Sequence, residues 1–156
     1  MKQDRVLIAI LVVILLLIAL SLTLFFLRRG DVEYGPDDSP EGVVRNYVLA
    51  LHKEDYQRAY DYLQDADGKP SLTEFRQEFM GLGWNIEDTG LQLGGTEISG
   101  DEAVVRLTII HGGTDPFESS WNENNDAWLT LQEGQWKLTY LPYPYWGWEW
   151  YVELEP

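Results

Sequence analysis

The chain predicts an α+β fold behind an N-terminal membrane helix, and three features of its pattern carry that reading. An uncharged run fills residues 6–27, apolar residues recur at helical spacing from about 40 to 82, and after Trp84 the apolar period drops from about 3.6 to 2. Helices followed by an antiparallel sheet give a layer of helices over one sheet face. With 156 residues, 45% of them hydrophobic and 24% charged, there is enough apolar material for one core of ordinary size. The chain has no Cys, which excludes disulfides, thiolate nucleophiles, Cys-ligated zinc and a lipid-bearing Cys.

The first element is the run VLIAILVVILLLIALSLTLFFL, with Ser21 and Thr23 as its only polar residues. As a helix its length is roughly 33 Å, matching a bilayer core of about 30 Å. It ends in Phe25, Phe26 and Leu27, then Arg28 and Arg29, with no small-x-small cleavage site, so residues 1–29 are expected to form an uncleaved anchor that meets the lipid bilayer through residues 6–27. Lys2 and Arg5 precede the run and Arg28 and Arg29 follow it, close to a tie under the positive-inside rule. The expected topology puts the N-terminus in the cytoplasm and the domain on the outer face of the cell membrane, because long domains translocate largely regardless of charge. Residues 30–38 read as a short extended linker.

Residues 31–156 hold 7 basic against 25 acidic groups, a net of -18. Such a surface repels phosphate backbones, so nucleic acid is not an expected partner.

Within 39–141 the helices come first. Ser39, Pro40 and Glu41 form a helix start, and Val43, Val44, Tyr47, Val48 and Leu51 set the buried side of a helix over 40–52. A second helix begins near Asp55 with Tyr56, Ala59, Tyr60 and Leu63 on one side. A third starts at the capping box Ser71 to Glu74 and buries Leu72, Phe75, Phe79 and Leu82. Four strands are expected next: an opening strand over 86–98 that turns at Ser99 and Gly100, then EAVVRLTII, AWLTLQ and QWKLTYL, the last two joined by a short hairpin at Glu133 and Gly134.

The stretch SPEGVVRNYVLALHKEDYQRAYDYL resembles the opening of membrane-anchored bacterial members of the NTF2-like superfamily, the cystatin-like cone fold, and the element order over about 39–141 is similar, closing on a hairpin at Trp136. The resemblance implies three helices packed on a curved antiparallel sheet of about four strands, with a conical pocket between sheet and long helix. The superfamily includes isomerases, dehydratases, protein-binding modules and dimerising domains, so the fold leaves function open.

Candidate chemistry is sparse. His111 follows the apolar strand on its odd-numbered face, toward the pocket mouth that the resemblance implies, but Gly112 and Gly113 after it favour a strand-end or turn histidine; the sequence names no carboxylate partner. His52 reads as a helix-end cation. The loop NENNDAW spaces Asn122, Asn124 and Asp126 like calcium ligands, yet Ala127 stands where the calcium loop needs Gly, and a hairpin loop is the simpler reading. No catalytic residue, metal site or cofactor is assigned.

The aromatic segment 142–156 holds six rings between Tyr143 and Tyr151. Trp146, Trp148 and Trp150 are even-numbered and share one face if the segment is a strand, although Pro142 and Pro144 predict a bend before an edge strand or appended arm. Three roles stay open for Tyr145, Trp146, Trp148, Trp150 and Tyr151: a cap on the core, a protein interface, or a ligand platform. The functional expectation is a membrane-anchored, extracytoplasmic accessory or binding module. It would recognise a protein partner or an envelope ligand, or pair with a second copy through the sheet or the C-terminal aromatics. The alternative is a small pocket enzyme of the isomerase or hydrolase type.

Overall fold

The computed structural model describes residues 2–28, 32–81, 86, 89–112 and 120–151. They fall into two compact units, Met1–Glu33 and Tyr34–Pro156. The first unit is the helix α1, Lys2–Arg28. Its side chains are described for Ile8 and residues 10–24, all of them exposed. Among the described residues no helix is long and apolar enough to cross a membrane.

In the second unit, helix α2, Pro40–His52, starts where the sequence predicts. The Ser39 hydroxyl accepts from the Gly42 amide at 3.2 Å, and Pro40 occupies the first turn, where its missing N–H costs nothing. Helix α3, Tyr56–Asp61, is capped by Asp55. Helix α4, Leu72–Met80, carries the full capping box: Ser71 N–H donates to Glu74 Oε2 at 2.8 Å and Glu74 N–H to Ser71 Oγ at 3.3 Å. Phe75 and Phe79 are buried as expected, whereas Leu72 is half-buried and Leu82 lies outside the described residues.

The strands β1 (Thr89–Ser99), β2 (Glu102–His111), β3 (Trp121–Gln132) and β4 (Gln135–Tyr140) form one antiparallel sheet in sequential order. The architecture is α+β, four helices and a four-stranded sheet, in the element order that the resemblance implies. Expected at 86–98, the opening strand runs over Thr89–Ser99 among the described residues, with Ile86 in a helical turn before it. NENNDAW, expected as a hairpin loop, is instead the first half of β3, and residues 121–130 pair one for one with β2. Pairing with β2 along its whole length holds this stretch extended despite its low strand propensity. Glu133 and Gly134 form the two-residue turn, with φ of 53° and 79°, the positive pair that a type I′ hairpin requires.

Alternation sets the core. Ala103, Val105, Leu107, Ile109, Ala127, Leu129 and Leu138 present one sheet face to Val43, Val44, Tyr47, Val48 and Leu51 of α2. Residues 34–38, expected as part of the linker, are fastened to this body. The Gly35 amide donates to Asn46 Oδ1 at 3.0 Å, Asn46 Nδ2 donates back to the Gly35 carbonyl at 2.8 Å, and Arg58 stacks 3.6 Å from the Tyr34 ring centroid. Asn46 is fully buried, and this exchange gives its amide the partners that burial demands.

The sheet has three unpaired margins, and they differ. The outer margin of β4 is covered by residues 62–64: Leu138 N–H donates to the Tyr62 carbonyl and Gln64 N–H to the Leu138 carbonyl. In β1 the margin is broken by a register shift between Leu93 and Thr96, where Gly94 and Gly95 sit. The outer margin of β3 is left over: β4 pairs only with Trp128–Gln132, so among the described residues Trp121–Ala127 pair with β2 alone.

Candidate functional site

The aromatic segment turns back into the domain. After Tyr140 the chain passes Pro142 and a cis Tyr143–Pro144 bond and runs as turns to Tyr151. With each proline unable to donate to a ladder, no strand restarts among the described residues. Val152 to Pro156 lie outside them.

The five candidate residues therefore divide by burial rather than by parity. Tyr145 is fully buried; its hydroxyl meets Thr89 Oγ1 at 2.8 Å, and its carbonyl accepts from the buried Tyr47 hydroxyl at 2.7 Å. Trp146 and Trp150 are 6% and 9% exposed. Trp150 stacks on Phe75 with centroids 5.2 Å apart, and Trp146 meets Trp150 edge to face at 5.1 Å. Tyr151 is half-buried: its N–H donates to the Gly68 carbonyl at 3.0 Å and its hydroxyl to the Gln64 carbonyl at 2.5 Å. Gly68 has φ of 83°, and a Cβ there would stand 2.8 Å from Tyr151 Cα, so only glycine admits the tail at this point. Burial pushes the phenols of Tyr47, Tyr145 and Tyr151 above their ordinary value.

Trp148 is the exception at 78% exposure. It stands at the rim of an open cleft of about 630 Å³ between α4 and the tail, whose polar lining includes Lys69, Gln77, Glu78 and Glu149. Lys69 is drawn toward its own neighbours, 2.7 Å from Asp65 and 4.3 Å from the Tyr60 ring centroid. What the cleft offers a ligand is the exposed Trp148 indole, with the mostly buried Trp150 also in its wall, beside carboxylates and an amide.

A second cluster stands on the helix-facing side of the sheet, at the end where β2 stops and β3 starts. His111 is opposite Trp121 in the register, Ile109 opposite Glu123 and Leu107 opposite Asn125. The His111 ring lies flat on Trp121, centroids 3.8 Å apart at 8°. Its Nε2 is 3.6 Å from Glu123 Oε2, and Asn125 Nδ2 donates to Glu123 Oε1 at 2.7 Å. His111 Nε2 is buried without a hydrogen-bond partner among the described residues. At 3.6 Å the imidazole and carboxylate are too far apart for a direct hydrogen bond, but one hydroxyl or water could bridge them. The sequence places His111 on this face and does not supply its neighbours, which depend on β3 extending back to Trp121.

His52 lies in the last turn of α2, its ring centroid 6.3 Å from that of Tyr145. Asn122, Asn124 and Asp126 lie on the outer sheet face along an extended strand, a shape that cannot wrap an ion as a calcium loop does. Among the described residues no group of three or more His, Asp or Glu could hold a metal.

The domain is thus a small α+β unit with its helices on one face of a four-stranded antiparallel meander, and comparison with known proteins reaches as far as that fold. No family model matches the chain, and no curated protein matches it. Among solved structures, the SEC-C motif containing protein RPA3114 of Rhodopseudomonas palustris is 14% identical with a TM-score of 0.50, over 67% of this chain and 77% of that one. A Campylobacter jejuni protein named as an NTF2-like transpeptidase is 17% identical with a TM-score of 0.42, over 64% of this chain and 96% of that one. An aromatic ring hydroxylase, so named, of Novosphingobium aromaticivorans gives 17% and 0.42, over 66% of this chain and 84% of that one. At such identity the likeness concerns the fold alone.

Proposed function

We propose that the chain is a membrane-anchored binding module of NTF2-like type, held by residues 6–27 with its domain on the outer face of the membrane, recognising a protein partner or an envelope ligand through Trp148 and its cleft. The exposure of Trp148 carries the reading: five of the six rings between Tyr143 and Tyr151 are covered more fully, and this one is turned out beside Gln77, Glu78 and Glu149. An exposed indole costs solubility without helping the core, and at the centre of an interface it contributes much of the binding energy. The anchor is supported by the uncharged run Val6–Leu27, continuous in sequence and helical in α1, with exposed apolar side chains from Ile10 to Leu24.

The test is pull-down of the full chain from a mild detergent extract, comparing native protein with Trp148→Ala. The expected result is loss of the co-purifying species with no change in melting temperature; equal recovery with both proteins would rule the cleft out. Truncation after Leu141 cannot serve, because it also strips Tyr145, Trp146 and Trp150 from the core.

A second reading rests on the inner-face cluster. A hydroxyl that accepts from His111 Nε2–H and donates to Glu123 Oε2 would be held between an acid and a base, the arrangement a pocket enzyme of the isomerase or hydrolase type uses to move a proton. Any such activity found on a panel of small esters and enones should fall at least about a hundredfold in His111→Ala and Glu123→Gln; activity retained in both variants would exclude the cluster.

A further inference from the structure

We propose that two copies of this chain pair antiparallel along the free margin of β3, with a twofold axis at Asn124, joining their sheets into one. Residues 62–64 cover the margin of β4 and a glycine bulge interrupts that of β1, two devices by which sheets avoid edge pairing. Neither operates over Trp121–Ala127, which is extended, flanked by a full partner on one side and by no strand among the described residues on the other.

The side chains on this stretch fit a copy of themselves. Antiparallel pairing about a perpendicular twofold keeps each residue on its own face, so the axis must pass through a residue position. Asn124 is the midpoint of Trp121–Ala127, and an axis there uses the whole free length. It sets Asn122 against Asp126, Glu123 against Asn125, Asn124 against Asn124 and Trp121 against Ala127. Each acid then faces an amide that can donate to it, and the largest side chain faces the smallest. The neighbouring registers are worse. An axis at Glu123 sets two carboxylates directly opposite each other, a destabilising contact in a sheet. One at Asn125 sets Asn122 against Trp128, whose margin Tyr140 of β4 already occupies. In a domain of net charge -18, edge acids ordinarily keep copies apart; here the sequence arranges them so that one register escapes that repulsion. The pairing involves neither Trp148 nor its cleft.

With no native Cys, a single introduced thiol reads the geometry directly. Residues directly opposite in antiparallel strands have Cβ atoms about 4.5–5.5 Å apart, close enough for a disulfide with small adjustment. In the full chain in detergent micelles, Asn124→Cys should oxidise to a covalent dimer on the order of tenfold faster than Gln92→Cys on β1. Asn122→Cys alone should link no faster than that control, whereas Asn122→Cys mixed with Asp126→Cys should. Equal rates for Asn124→Cys and Gln92→Cys would overturn the pairing, and so would self-linking of Asn122→Cys. Charge provides a second readout: Asn124→Asp and Asn124→Lys should each be monomeric alone and pair when mixed, and a dimer persisting in Asn124→Asp alone would sink the register.

Discussion

Tyr47 shows how one side chain can join distant parts of this chain. It lies mid-helix in α2, fully buried, and its hydroxyl donates to a carbonyl 98 positions later, at Tyr145. Tyr47→Phe keeps the ring contacts to Phe75 and Trp146 and removes the donor, leaving a buried carbonyl unsatisfied. Denaturant unfolding of the domain is expected to show a loss of about 1–3 kcal/mol with an unchanged slope. The periodicity of α2 marks Tyr47 as a core residue, but nothing local says which atom its hydroxyl will meet. The same limit applies at His111: its face is legible from alternation in β2, while Glu123 and Trp121 come within reach only through the ladder with β3.

Elements whose signals are local were legible, and those held by their neighbours were not. Ser39 with Pro40, Ser71 with Glu74, and Glu133 with Gly134 each satisfy their own backbone groups, so the sequence places two helix starts and a hairpin to the residue. Asn122 to Asp126 carry no strand signal of their own; ten register pairs with β2 override the composition. The β3–β4 turn also offers a test of its geometry. Glu133 sits at φ 53°, a conformation asparagine tolerates better than glutamate. Glu133→Asn should therefore raise the unfolding free energy by about 0.5 kcal/mol, and a loss on chemical denaturation would contradict the turn type.

At the scale of the whole domain, the tail is the part that parity misjudged. Even-numbered tryptophans suggested one strand face, but the prolines end the strand and the rings close over Phe75, Phe79 and Tyr47, contacts that no short window of sequence contains. This closure has a pH signature. The phenols of Tyr47, Tyr145 and Tyr151 are held protonated by burial above the pH at which free tyrosine ionises. An unfolded chain releases those protons from about pH 10, while the folded chain retains them. Stability is therefore complete below about pH 10 and declines as pH rises past it toward the folded-state values. The urea midpoint should be flat from about pH 7 to 9 and fall above about pH 10; a midpoint that holds steady well above that range would mean the rings are not enclosed.

The route of Tyr145 through Trp150 also bears on biogenesis. Because these residues finish a hydrophobic interior begun at Val43, a nascent polypeptide emerging from the ribosome lacks its last packing layer until Trp150 is free. Until that segment emerges, helix α2 and the sheet would wait with greasy surface uncovered.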